Sequence, residues 1–239
     1  MAWWYRWGLA CVLTFMLATT VLSSAFADDL YDISMSGFAG FAIPLATTVN
    51  QTNATQSTNF TAQDVKLDSS GSYGMKLTAW TTALRPKNGF DLGIEIDHTR
   101  FSADTRAQTV SASGMSQGVA VRSAFVNKNE VGVRTIAVNA LFRIPYGITE
   151  ALPHGRWYPY LGVGGGVQHA TMRLTDGSED SNSALLVQGL AGIKIFIVRH
   201  VAIFGEYKFT YADHSFVFDS TRNETIQAHH MTFGVALHF

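Results

Sequence analysis

From residue 31 onward, apolar and polar side chains alternate in short runs with the two-residue period of a strand, not the 3.6-residue period of a helix. Tyr31, Ile33, Met35, Gly37, Ala39 and Phe41 share one parity, and Asp32, Ser34 and Ser36 the other. The pattern returns with Tyr73, Met75, Leu77 and Ala79 against Ser72, Lys76 and Thr78. After the turn-forming stretch Arg85-Pro86-Lys87-Asn88-Gly89, Phe90, Leu92, Ile94 and Ile96 alternate with Asp91, Glu95 and Asp97, so the two runs predict a hairpin. Four further alternating runs follow at 135–143, 161–168, 187–195 and 203–211, and a last one sets Met231, Phe233, Val235, Leu237 and Phe239 against His230, Thr232 and His238.

The connections alternate as well. Segments 42–70, 102–130, 171–184 and 212–226 are long and polar, 84–89 and 198–200 are short, and 145–157 is intermediate. Long loops on one rim and short turns on the other predict an all-β, antiparallel up-and-down transmembrane β-barrel of about eight strands. Gly118-Val119-Ala120-Val121 leaves the count open between about eight and ten, because part of 102–130 has strand character.

Period-two alternation is shared by membrane barrels and soluble barrels, which differ in the direction of the apolar face. Here the apolar set is bulky and would overfill a small cylinder. The polar set is charged and nearly balanced: Lys76, Arg143, Lys194 and Lys208 against Glu95, Asp97 and Glu206. Apolar residues toward lipid, with those charges paired in a narrow lumen, is the consistent assignment. Gly162, Gly164 and Gly166 make room opposite longer inward side chains. Aromatic residues near strand ends are expected in interfacial girdles, with Phe90, Tyr146, Trp157, Tyr158 and Phe239 at the short-turn rim and Phe101, Tyr211, Phe216 and Phe218 at the loop rim.

The first residues change the compartment. Arg6, the apolar stretch Leu9 to Leu22, and Ala25-Phe26-Ala27 form the three parts of a cleavable signal peptide, so 1–27 is expected to be removed and 28–239 to form one barrel domain. Cys11, the one cysteine, lies in the removed part, which leaves no thiol for a disulfide or a thiolate metal site. The remaining charge, sixteen Lys and Arg (17 − 1, without Arg6) against 18 Asp and Glu, gives no basic surface for nucleic acid.

Four stretches resemble the small outer-membrane β-barrel superfamily of OmpA/OmpX-like and opacity-protein-like surface antigens. They are Asn139-Ala140-Leu141-Phe142-Arg143, Tyr158 to Gly166, Glu206-Tyr207-Lys208-Phe209-Thr210, and the final strand ending in Phe239. The resemblance implies export through the periplasm to the outer membrane of a Gram-negative cell, outer-membrane lipids and lipopolysaccharide as surroundings, and a monomer. It also implies that Met231, Phe233, Val235, Leu237 and Phe239 are the signal read by the barrel assembly machinery.

Catalytic, metal and cofactor chemistry finds no support. Asp213-His214-Ser215 holds the residue types of a hydrolytic triad, but consecutive strand residues point to opposite faces. His229-His230 fails as a metal site for the same reason. The glycines at 162–166 lack the Lys-Ser or Lys-Thr of a phosphate loop. Asn50, Asn53, Asn59 and Asn223 begin Asn-x-Thr sequences, read as loop composition. The leading functional reading is a structural, surface-displaying barrel without enzymatic activity, with an occluded charged lumen and loops that hold a surface ligand. The alternatives are a narrow, porin-like pore for small solutes and a lipid A-modifying hydrolase.

Overall fold

The computed structural model describes residues 31–53, 57–218 and 220–239. The expected signal peptide therefore lies outside the described residues. Twelve strands follow one another: β1 (Tyr31–Pro44), β2 (Thr47–Asn53), β3 (Thr58–Val65), β4 (Ser70–Thr81), β5 (Asp91–Ser102), β6 (Gln108–Ser116), β7 (Val119–Val126), β8 (Glu130–Arg143), β9 (Trp157–Arg173), β10 (Glu179–Val198), β11 (Val201–Val217) and β12 (Thr221–His238). One helical turn, α1 (Arg85–Asn88), joins β4 to β5 and ends at Gly89, whose φ of 75° is the left-handed cap that glycine adopts without strain.

Eight strands close a barrel in the order β1-β4-β5-β8-β9-β10-β11-β12, every neighbour antiparallel, and β12 pairs back onto β1 from Ser34↔His238 to Pro44↔Ala228. A paired row that leaves β1 at Met35 runs through Leu77, Ile96, Val138, Gly165, Val187, Tyr211 and Gln227. It meets β1 again at Leu45, whose N–H donates to Gln227 O, a stagger of ten residues (45 − 35). Closing eight strands with that stagger requires a strand tilt of roughly 40°.

Alternation then sorts the side chains. Ile94, Val163, Ile193 and Val235 are 49–67% exposed on the outer wall, whereas Glu95, Lys194 and Glu206 are 4–5% exposed inside. On β9 the outward apolar run extends from Trp157 to Val167; ten residues at about 3.3 Å, tilted by roughly 40°, span about 25 Å, the height of a bilayer-facing band. A closed sheet leaves no barrel edge unpaired in that band, as hydrocarbon requires.

The four long connections are not irregular loops. Segment 42–70 carries the β2–β3 hairpin and 102–130 the β6–β7 hairpin, while β9–β10 and β11–β12 continue their own ladders to Arg173↔Glu179 and Val217↔Thr221. Above the barrel the sheet carries on from β12 through β2, β3, β6 and β7, forming a crown. The strand character noted at Gly118–Val121 belongs to this crown: Gln117 and Gly118 both have positive φ (51° and 79°), the two-residue turn that matches strand twist. Polarity concealed these strands, because the small core they share, Val49, Ala62, Val65 and Val110, takes only one or two residues from each of β2, β3 and β6.

The girdle assignment needs correction at four positions, one of which, Phe218, packs half-buried against the apolar cluster inside the bore. Tyr158, Phe101 and Phe216 are 0–5% exposed and point inward. Phe101 shares parity with Glu95 and Asp97 and Phe216 with Glu206 and Lys208, while Tyr158 shares parity with the buried Tyr160 and Gln168 and cannot face lipid alongside its neighbour Trp157. Tyr146 and Trp157 do sit on the outer wall at the short-turn rim, stacked at 4.6 Å.

Candidate functional site

The lumen is built from the inward parity of all eight barrel strands, and its polar groups fall into three layers. At the short-turn end, Arg143 Nη1 donates to Asp32 Oδ2 (2.6 Å) and its Nε to Asp91 Oδ2 (2.8 Å), while Arg85 Nη2 meets the same Asp91 oxygen at 2.5 Å. Arg143 lies against the Trp80 and Tyr158 rings, its guanidinium carbon 4.4 and 4.6 Å from their centroids. His238 Nδ1 is 2.6 Å from Asp32 Oδ1, and its Nε2 is 3.5 Å from Lys194 Nζ.

In the middle layer Lys76 Nζ bridges Glu206 Oε2 (2.5 Å) and Glu95 Oε1 (3.1 Å). Glu95 also accepts from Thr78 and Asn139 (both 3.0 Å), and Glu206 from the Tyr160 hydroxyl (2.9 Å). In the third layer Lys208 Nζ donates to Asp97 Oδ2 and Thr99 Oγ1, each at 2.6 Å. His230 lies above, between Ser72 and Thr210 (3.2 Å each) and edge-on to Phe101.

Six of the seven lumenal charges named from sequence, Lys76, Glu95, Asp97, Arg143, Glu206 and Lys208, thus meet a partner of opposite sign, although Arg143 finds it outside that set. Lys194 does not pair. It is buried with no carboxylate within 4.0 Å among the described residues, its ammonium held over the Tyr158 and Phe204 rings at 5.8 and 5.7 Å. The reason is competition: Arg143 and His238 hold Asp32, and Lys76 holds Glu95 and Glu206. The residues missed from sequence are Asp32, Asp91, Arg85 and His238. Asp32 and Asp91 carry lumenal parity and were legible; Arg85 sits in a turn and folds inward only through tertiary structure. With them the layers sum to zero, five cations (Arg85, Arg143, Lys194, Lys76, Lys208) against five carboxylates (Asp32, Asp91, Glu95, Glu206, Asp97). The void beside Lys194, Lys76, Glu95 and Tyr160 measures about 10 Å³, room for about one water.

Toward the crown an apolar cluster fills the bore, with Phe101, Val131, Val133, Met172, Phe216 and Ile226 at its centre. Beyond it the crown encloses a cleft of about 480 Å³, walled by Val49, Phe60, Phe125 and Phe218 and by the β9–β10 turn, with Asn127, Asn129 and Arg222 among its polar lining.

The motifs weighed for chemistry separate as strand geometry demands. His214 points inward, 2.9 Å from Gln168 Oε1, whereas Asp213 and Ser215 are exposed outside and Asp213 accepts from Thr225. His230 is lumenal, while His229 lies on the outer wall against the Tyr207 hydroxyl (2.6 Å). Gly164 is inward, and a Cβ there would collide with Asn139 Oδ1. Met231, Phe233, Val235, Leu237 and Phe239 form one outward stripe, 38–62% exposed, on the strand that closes the barrel.

No family model and no curated protein sequence matches the chain. Among solved structures, it is similar to Neisserial surface protein A (12% identity, 89% of this chain and 98% of that chain covered, TM-score 0.45). It is also similar to the attachment invasion locus protein Ail of Yersinia pestis (12%, 85% and 98%, TM-score 0.36) and to the outer membrane protease OmpT from Escherichia coli (8%, 90% and 98%, TM-score 0.41). A closed eight-stranded antiparallel sheet, apolar outside, ionic inside and extended at one rim, is the fold of the small outer-membrane β-barrels, and this chain has that fold.

Proposed function

We propose that the protein is an outer-membrane surface protein that displays its crown to the exterior and conducts nothing. Conduction needs a continuous wet path, and the observation that weighs most against one is the sequence of obstacles along the bore: three layers of hydrogen-bonded charges of zero net sum, then an apolar stopper. An interior of about eight strands is filled by side chains alone. A rigid barrel that carries ordered hairpins is a scaffold for binding at its tips, and the crown cleft is where a surface ligand would sit. In this reading residues 1–27 direct export and are cleaved, and the stripe Met231 to Phe239 engages the assembly machinery through the strand that closes the sheet last. The chain then works as a monomer without cofactor or catalysis.

Planar-bilayer recording tests the closed lumen, with folding checked by a heat-dependent shift in gel migration. Folded protein should insert without discrete conductance steps. Steps of uniform size that vanish when Lys76 or Arg143 is replaced by a bulkier apolar residue would instead establish the narrow pore.

A further inference from the structure

The outer wall carries a feature that barrel stability does not require. Arg100 on β5 lies directly opposite Arg134 on β8, and Arg134 directly opposite His169 on β9. All three are exposed on the outward parity. Like charges directly opposite each other across a ladder are destabilising, and neither arginine makes an ion pair among the described residues. The nearby pair Arg173–Glu179, by contrast, is joined at 2.6 Å.

The arrangement is also oriented. His98 Nδ1 lies 2.9 Å from Thr135 O, which can only accept, and His98 Nε2 lies 3.2 Å from Arg100 Nε, which can only donate. With Nδ1 toward the Thr135 carbonyl and Nε2 accepting from Arg100 Nε, His98 fixes Arg100 through Nε while leaving the terminal guanidinium nitrogens for another acceptor. Just below in the same strands, toward the short-turn rim, are Ile96, Ile136, Val138 and Val167, 48–60% exposed. The cations thus sit on the crown-side edge of the apolar band, where acyl chains end and headgroups begin.

We propose that Arg100 and Arg134, with His169 beside them and His98 as a positioning residue, bind the phosphate of a phosphorylated outer-leaflet lipid whose acyl chains lie over Ile96, Ile136, Val138 and Val167. A phosphate offers what two adjacent guanidinium groups need, several acceptor oxygens and a charge that offsets both. The apolar residues beneath select a lipid over a soluble anion. This inference rests on the reading that the barrel lies in the outer membrane with its crown outward.

The test uses the folded, full-length barrel in uncharged detergent and counts bound ligand by native mass spectrometry. The probes are bisphosphorylated lipid A, the same lipid A with both phosphates removed, and inorganic phosphate. The wild type should hold the bisphosphorylated lipid at least tenfold more tightly than the dephosphorylated one, and R100Q/R134Q should lose that preference. Equal binding of the two lipids, equal binding by the variant, or inorganic phosphate binding as tightly as the lipid would each overturn the proposal. Should the double variant fail to show the heat-dependent gel shift, R134Q alone carries the comparison, with a preference of under about threefold expected. A wild type that lacks the gel shift would instead refute the barrel reading and this proposal with it.

Discussion

Replacing Lys76 with methionine removes the one cation between two carboxylates while keeping most of the volume. Side-chain exposures of 2% for Lys76, 5% for Glu95 and 0% for Glu206 leave almost no solvent to screen what remains. The two carboxylates are not left equal. Glu95 keeps Thr78 and Asn139, whereas Glu206 keeps only the Tyr160 hydroxyl, and its Oε1 has no hydrogen-bond partner among the described residues. Breaking a buried ion pair by deleting one partner costs about 3–5 kcal/mol, mostly because the surviving charge stays buried. The two pairs share one ammonium, so their costs do not add, and K76M should lose about 3–5 kcal/mol in total. K76M/E206Q should regain about half of that, and K76M/E95Q less, because Glu95 is better supported. Urea unfolding of the barrel in lipid vesicles, followed by tryptophan fluorescence, measures all three. A K76M midpoint within about 1 kcal/mol of wild type, or no recovery in K76M/E206Q, would refute the view that the lumen is held as a desolvated ionic network.

Three further outcomes follow from the same structure. Gly164→Ala should destabilise by about 1–3 kcal/mol because its methyl displaces Asn139 from Glu95 and Gln188, whereas Gly71→Ala, open on all sides, should be near neutral; equilibrium unfolding compares them. In the crown, among the described residues β7 pairs with β6 alone, whereas β3 is flanked by β2 and β6, so hydrogen exchange should be faster along 119–126 than along 58–62. In the β9–β10 turn, the Ser178 backbone N–H donates to Asp176 Oδ1 at 2.8 Å and holds that carboxyl below its usual range. The contribution of this bond is therefore present above about pH 4 and lost as pH falls through the lowered folded value, and the Ser178 amide resonance should report that loss below the ordinary aspartate range.

The sequence by itself determined the barrel. Period-two alternation fixes which residues face out, and the charged composition of the second face makes lipid the outer solvent, so Ile94, Val163, Ile193 and Val235 fall outside and Glu95 and Glu206 inside. Parity also disposed of Asp213-His214-Ser215 and His229-His230, since neighbours on a strand cannot converge. Tertiary structure decided the rest because it depends on stagger and on partners far apart in the chain. Which carboxylate each cation meets follows from a ten-residue stagger that no local pattern records. That stagger pairs Lys76 with Glu206 across 130 residues and leaves Lys194 to aromatic rings. The crown was largely hidden for a related reason: its strands are short and paired by backbone bonds, and their small apolar cluster of Val49, Ala62, Val65 and Val110 forms only when β2, β3 and β6 meet, which local alternation does not record.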